Sequence, residues 1–139
     1  MEKTYFDVFT DTIRAAANLV KNRFIGFDGN YCAANAKAAG VSKLDVDSGQ
    51  LASVISIGVA LVETAGPITA GGEVVSDATG KALAATAFSV SVPSGATPVT
   101  SSGAQPDLTE AGSALPQKIN GIALDTATGS GETIRVKVV

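Results

Sequence analysis

Asn120-Gly-Ile-Ala-Leu-Asp-Thr-Ala-Thr-Gly-Ser-Gly-Glu-Thr-Ile-Arg-Val-Lys-Val-Val139 reads as a strand, a glycine turn and a second strand. Ile134, Val136 and Val138 fall on one side of an extended chain, and Thr133, Arg135 and Lys137 on the other. That is the two-residue period of a half-buried strand. The same grammar occurs earlier. Gly40-Val41, Leu44-Asp45, Gly49 and the run Val54 to Ile57 parallel Gly121-Ile122, Leu124-Asp125, Gly129 and the run Ile134 to Val138. A chain assembled from such units is a small β scaffold.

Working outward, residues 50–63 carry the strongest strand signal. Ile55, Ile57, Val59 and Leu61 make a bulky face that predicts burial. Ser56, Gly58 and Ala60 make a small face, with Val54 and Val62 at its ends, suited to close packing against another sheet or chain. Phe24-Ile25-Gly26-Phe27 running into Asp28-Gly29-Asn30 predicts a hairpin, with Tyr31 and Cys32 on the return. Residues 33–39 read as a loop or a single helical turn ended by Gly40. Glu73–Ser76, a turn at Asp77–Gly80, and Lys81–Ala84 follow. Phe88, Val90 and Val92 alternate with serines as a further strand.

Two stretches resist this grammar. Over residues 1–22, Phe9, Ile13, Ala16, Ala17 and Val20 stand at helical spacing, and Asp11 could cap a helix. The alternative is an extended arm. Residues 93–117 hold Pro93, Pro98, Pro106 and Pro116 among Ser, Thr, Gly and Ala. Proline donates nothing to a sheet ladder, so this is a long irregular loop, either a surface loop or an excursion across a partner. The organisation is therefore an N-terminal arm or short helix over 1–22 and a β domain over 23–139.

Composition narrows the function. The chain has 139 residues, of which 45% are apolar and only 5% aromatic, so Val, Ile, Leu and Ala must build the core. Charged residues are 17%, below the roughly 25% of an ordinary soluble protein. A surface of small, weakly charged residues can lie against another protein at little desolvation cost. The net charge is −3, and no basic stripe suits nucleic acid. The apolar run Val54 to Val62 is too short to cross a bilayer as a helix. The acidic start Met1-Glu-Lys-Thr-Tyr-Phe-Asp is not a signal peptide. One cysteine, Cys32, allows no internal disulfide and fits assembly in a reducing cytosol.

Chemistry finds few residues to use. There is no histidine, which removes the commonest acid–base group and metal ligand. Cys32 lacks a base of the usual type and reads as a buried small hydrophobe. Asp45 and Asp47 are too few for an EF-hand loop and read as turn residues. The glycine motifs at 26–29 and 66–72 lack the context of a phosphate loop. No catalytic residue, cofactor or metal site is expected, and the chain reads as a non-enzyme. What stands out is aromatic: Tyr5, Phe6 and Phe9 lie within five residues. Aromatic side chains anchor interfaces because they bury large areas with few rotors. The alternative is that they pack on the domain's own core. Pro98 and Pro106, in the long loop, are the next contact candidates.

Arg23-Phe24-Ile25, Gly40-Val41-Ser42, Gly58 through Glu63, Ser76 through Ala82, and Asn120 through Asp125 continuing to Ile134–Val138 stand in an order that resembles tailed-phage capsid cement (head decoration) proteins. The resemblance runs from about residue 14 to Val139. It implies an all-β, jelly-roll-like sandwich or small barrel that acts as a dimer or trimer. It also implies a virion protein, made in the host cytoplasm, that binds the outer capsid surface and bridges neighbouring major capsid subunits. Tyr5, Phe6, Phe9, Pro98 and Pro106 are then the expected capsid contacts, with no nucleic acid or membrane partner. The competing reading is a β-sandwich binding module for carbohydrate or cell-surface adhesion, which would display exposed aromatics for its ligand.

Overall fold

The computed structural model describes residues 3–87 and 116–139. Among them are eight strands: β1 (Phe6–Arg14), β2 (Phe24–Ile25), β3 (Gly40–Ser42), β4 (Leu51–Glu63), β5 (Glu73–Ser76), β6 (Ala82–Ala84), β7 (Gly121–Ala123) and β8 (Thr133–Val138). All lie in one compact unit, Met1–Ala85 with Pro116–Val139; Thr86–Leu115 form a second unit of which only Thr86 and Ala87 are described. The predicted strand at 88–92 and nearly all of the proline loop at 93–117 lie outside the described residues.

The strands form one antiparallel sheet in the order β2-β3-β4-β8-β7-β5-β6, with β1 added on β4. Beyond the end of β4, Thr64 bridges Ala82 of β6, and the Ala65 N–H donates to Ala82 O at 2.8 Å. The sheet thus curls back on itself as a nearly closed barrel, the small-barrel form of the expected all-β fold. β4 is the longest element and organises the rest. Asp11 and Ser42 both pair with Val54, while Asp7 and Val138 both pair with Gly58. β1 therefore runs along one edge of β4, and β3 and β8 share the other in turn.

The repeated sequence unit is a repeated structural unit. β3 pairs with β4 as β7 pairs with β8, each across a polar turn. In both turns an aspartate is used: Asp45 accepts the Lys21 N–H at 2.9 Å and Asp125 accepts the Arg135 N–H at 2.9 Å. Gly121 is required by close approach, because a Cβ there would lie 2.3 Å from Val136 Cγ1 and 2.7 Å from Lys137 O. Its neighbour Asn120 is buried and bridges the 33–39 loop, accepting from Ala38 N and donating to Ala36 O, each at 2.9 Å.

The core is aliphatic and fine-grained. Phe24, Val41, Ile55, Val62, Ile68, Val74, Ile134 and Val136 pack with the alanines at 60, 82, 123 and 127. A small barrel has little interior width, so small side chains alternate with large ones to fill it. Cys32 belongs to this cluster, and burial raises its thiol pKa. A second cluster, Ala15, Leu19, Ile25, Ala52 and Val54, packs with Ile13.

Among the described residues there is no helix: of the alternatives the sequence leaves open, residues 6–14 take the extended one, as strand, and 33–39 are turn and loop. The helical spacing over 9–20 is overridden by an open β4 edge and by Ala15 and Leu19, which enter the second cluster from extended chain. One expectation is corrected: from Ile57 on, the two faces of β4 are exchanged, with Ala60 and Val62 fully buried, Ile57 55% exposed, and Val59 and Leu61 half-buried. The cause is a register irregularity: Phe9 pairs with Ile57 and Thr10 with Ile55, so Ser56 is an extra residue. One inserted residue switches every later side chain to the opposite face. Ile55, before the bulge, is buried as expected.

Candidate functional site

β1 sits on the outside of the barrel. Tyr5, Phe6, Val8 and Phe9 are all 49–72% exposed, so these aromatics do not belong to the domain's own core. Phe6 and Phe9 are three residues apart and would point to opposite faces of a regular strand. Here Asp7 pairs with Gly58 and Phe9 with Ile57, leaving Val8 as a bulged residue. The bulge restores parity, so both phenylalanines share one face. Directly opposed residues lie side by side on a sheet. Phe6 is opposite Val59 and Phe9 opposite Ile57, giving a contiguous outward group.

Gly58 makes this arrangement possible. Its φ is +130°, and a Cβ there would lie 2.3 Å from Phe6 O and 2.8 Å from Val8 N. A glycine within a strand is the one sequence signal that marks such a bulge. Ile57, Val59 and Val8 were not among the expected contacts; only Gly58 could have pointed to them.

The row continues across the barrel. Val59 is opposite Lys137, Lys137 opposite Ile122, and Ile122 opposite Glu73. Lys137 is exposed. It makes no ion pair among the described residues, where the four pairs are Arg23–Glu63, Lys43–Asp7, Lys81–Glu63 and Arg135–Asp125.

Tyr5 is placed differently from Phe6 and Phe9. Its ring lies under Lys43, with Nζ 4.9 Å from the ring centre, and the same Nζ is 2.7 Å from Asp7 Oδ2. The ammonium holds the Asp7 carboxyl below its ordinary pKa, and Asp7 in turn raises that of Lys43. This latch, with Lys3 Nζ donating to Thr133 O at 2.7 Å, ties the start of the chain to the barrel. A pocket of about 140 Å³ opens beside Tyr5 and Lys43, over Ile55 and Leu61. Pro98 and Pro106 lie outside the described residues.

Two ion clusters stiffen the barrel rim. Arg135 grips Asp125 with Nε and Nη2 at 3.1 and 2.8 Å, and the guanidinium lowers the Asp125 pKa from 3.8 to about 2. Lys81, and then Arg23, lower the pKa of Glu63.

No curated protein matches the chain. Among solved structures, the N base of head fiber gp8.5 of bacteriophage phi29 is similar. It has a TM-score of 0.61 and 18% sequence identity, over 94% of this chain and 93% of that one. At that identity the likeness establishes the fold. The phage cement protein family matches residues 6–138, including β1, which the resemblance read from the sequence left out. The chain is a virion component and a member of the phage cement protein family.

Proposed function

We propose that this protein binds the outer surface of the phage capsid and stabilises the shell by bridging neighbouring major capsid subunits, without enzymatic activity. The observation that carries the reading is the outward aromatic strand β1 on a compact barrel, in a chain of the cement family. The likeness to the base of a phage head fiber supports a place on the head exterior. A brace needs a stiff body and a sticky face. The barrel supplies the first through its nearly closed ladder, and Tyr5, Phe6 and Phe9 supply the second. Pro98 and Pro106, outside the described residues, complete the proposed contact set. The protein works as a homo-oligomer, a dimer or trimer, because weak contacts repeated on a symmetric shell gain by avidity.

The test is deletion of residues 1–12. The deletion removes most of β1 but none of the main core cluster. The shortened chain should fold, with cooperative thermal unfolding, and occupy shells that lack the protein at clearly lower density than the full chain. Normal occupancy by the folded deletion would rule out the N-terminal grip.

A further inference from the structure

We infer that Phe6, Phe9, Ile57 and Val59, together with Lys137, form a single docking face spanning three strands, and that its occupant is an apolar segment of the shell protein carrying a carboxylate that meets Lys137. The inference rests on the capsid reading above and names the surface and the chemistry of the partner.

The first argument is geometric. The bulge at Val8 turns Phe6 to the same face as Phe9, and the bulge at Ser56 turns Ile57 and Val59 outward from a strand whose Ile55, Ala60 and Val62 line the core. Two irregularities, one in each paired strand and together restoring the register, converge on one apolar cluster. A sheet packing only for stability would gain by burying these side chains, not by exporting them.

The second argument is area. Phe6 is 72% exposed, Phe9 54% and Ile57 55%. Scaled from the roughly 150–250 Å² of a fully buried aromatic, the cluster exposes on the order of 400 Å². That is about half of the roughly 800 Å² each partner contributes to a standard interface. An apolar centre of this size with a polar rim matches the anatomy of a protein contact.

The third argument is charge. Lys137 stands beside Val59 and Ile122 in the same row, at the rim of the cluster, with no ion pair of its own among the described residues. A partner covering the cluster must desolvate that ammonium, which is unfavourable unless it brings an acid. An apolar segment without a carboxylate is therefore selected against.

The experiment uses the full chain and purified shells that lack it, with bound protein measured by co-sedimentation across a concentration series. The variants are Ile57→Asp and Lys137→Glu, with Phe27→Ser as control. Phe27 is 75% exposed in the turn after β2, outside the face. The expected result is at least tenfold weaker binding for Ile57→Asp and for Lys137→Glu, and unchanged binding for Phe27→Ser. Raised salt should weaken the wild type more than Lys137→Glu. If Ile57→Asp melts below the wild type, Lys137→Glu, at an exposed position, decides alone. Wild-type binding with both face variants unimpaired overturns the inference and leaves the capsid reading intact. No binding by the wild type overturns the capsid reading itself. If free Ile57→Asp sediments as a smaller species than free wild type, the face joins two copies of this chain and the inference is overturned.

Discussion

Phe9 lies directly opposite Ile57 across the β1–β4 pair, and both side chains are more than half exposed. An isoleucine in the longest strand of a small barrel thus contributes its bulk to the surface. Ile57→Ala should change stability by no more than about 0.5 kcal/mol, the usual range for surface positions. Ile134→Ala, at a fully buried position on β8, should cost about 2–5 kcal/mol. Urea unfolding of the two variants checks the contrast, and equal destabilisation would mean that the faces of β4 are wrongly assigned.

Gly58→Ala should free the first half of β1 while leaving the barrel folded. The new Cβ would lie 2.3 Å from Phe6 O, at a backbone φ of +130°. Strain of this kind costs about 1–3 kcal/mol, and the exposed strand can relieve it by lifting away. Hydrogen exchange should accelerate at residues 6–9 and stay slow in β8. Unchanged protection over 6–9 would contradict the role given to Gly58.

Acid should weaken the Asp125–Arg135 clamp in a defined window. The folded-state pKa of Asp125 is lowered from 3.8 to about 2, chiefly by hydrogen bonding to Arg135. A depressed carboxylate contributes stability that is complete above the unfolded value and is lost as pH falls through the folded one. The stability gap between the wild type and Asp125→Asn should be present at neutral pH and shrink between about pH 4 and 2. Urea midpoints measured across that range test this, and a gap independent of pH would assign the role of Asp125 to packing alone.

The legible parts of this chain are those where alternation is undisturbed. Ile134 and Val136 face the core and Lys137 faces out, as their spacing requires, and the paired glycine-turn units around Gly40 and Gly121 recur as β3–β4 and β7–β8. The hairpin at 26–30 follows from its turn residues, with the Gly26 N–H donating to Asn30 O at 2.9 Å. Apart from the hint of Gly58 within a strand, bulges were not legible, because an inserted residue leaves composition unchanged and alters only parity. Reading Ile55, Ile57, Val59 and Leu61 as one face fails at Ser56 for that reason. β1 was obscured because an exposed edge strand has no buried face to imprint a period, and three alanines at 15–17 add a helical propensity that tertiary contacts override. The contact candidates Tyr5, Phe6 and Phe9 could be found from aromatic density. Their division, with Phe6 and Phe9 on one face and Tyr5 under Lys43, depends on the bulge and the latch.

The most direct test of the cementing account compares phage particles assembled with and without this protein during a slow temperature ramp, reading DNA release by dye fluorescence. A brace adds contact between subunits after the shell exists, so particles should form without it and release DNA at a lower temperature. Adding the purified protein back should restore the higher release temperature. Identical release temperatures for decorated and bare particles would contradict the account.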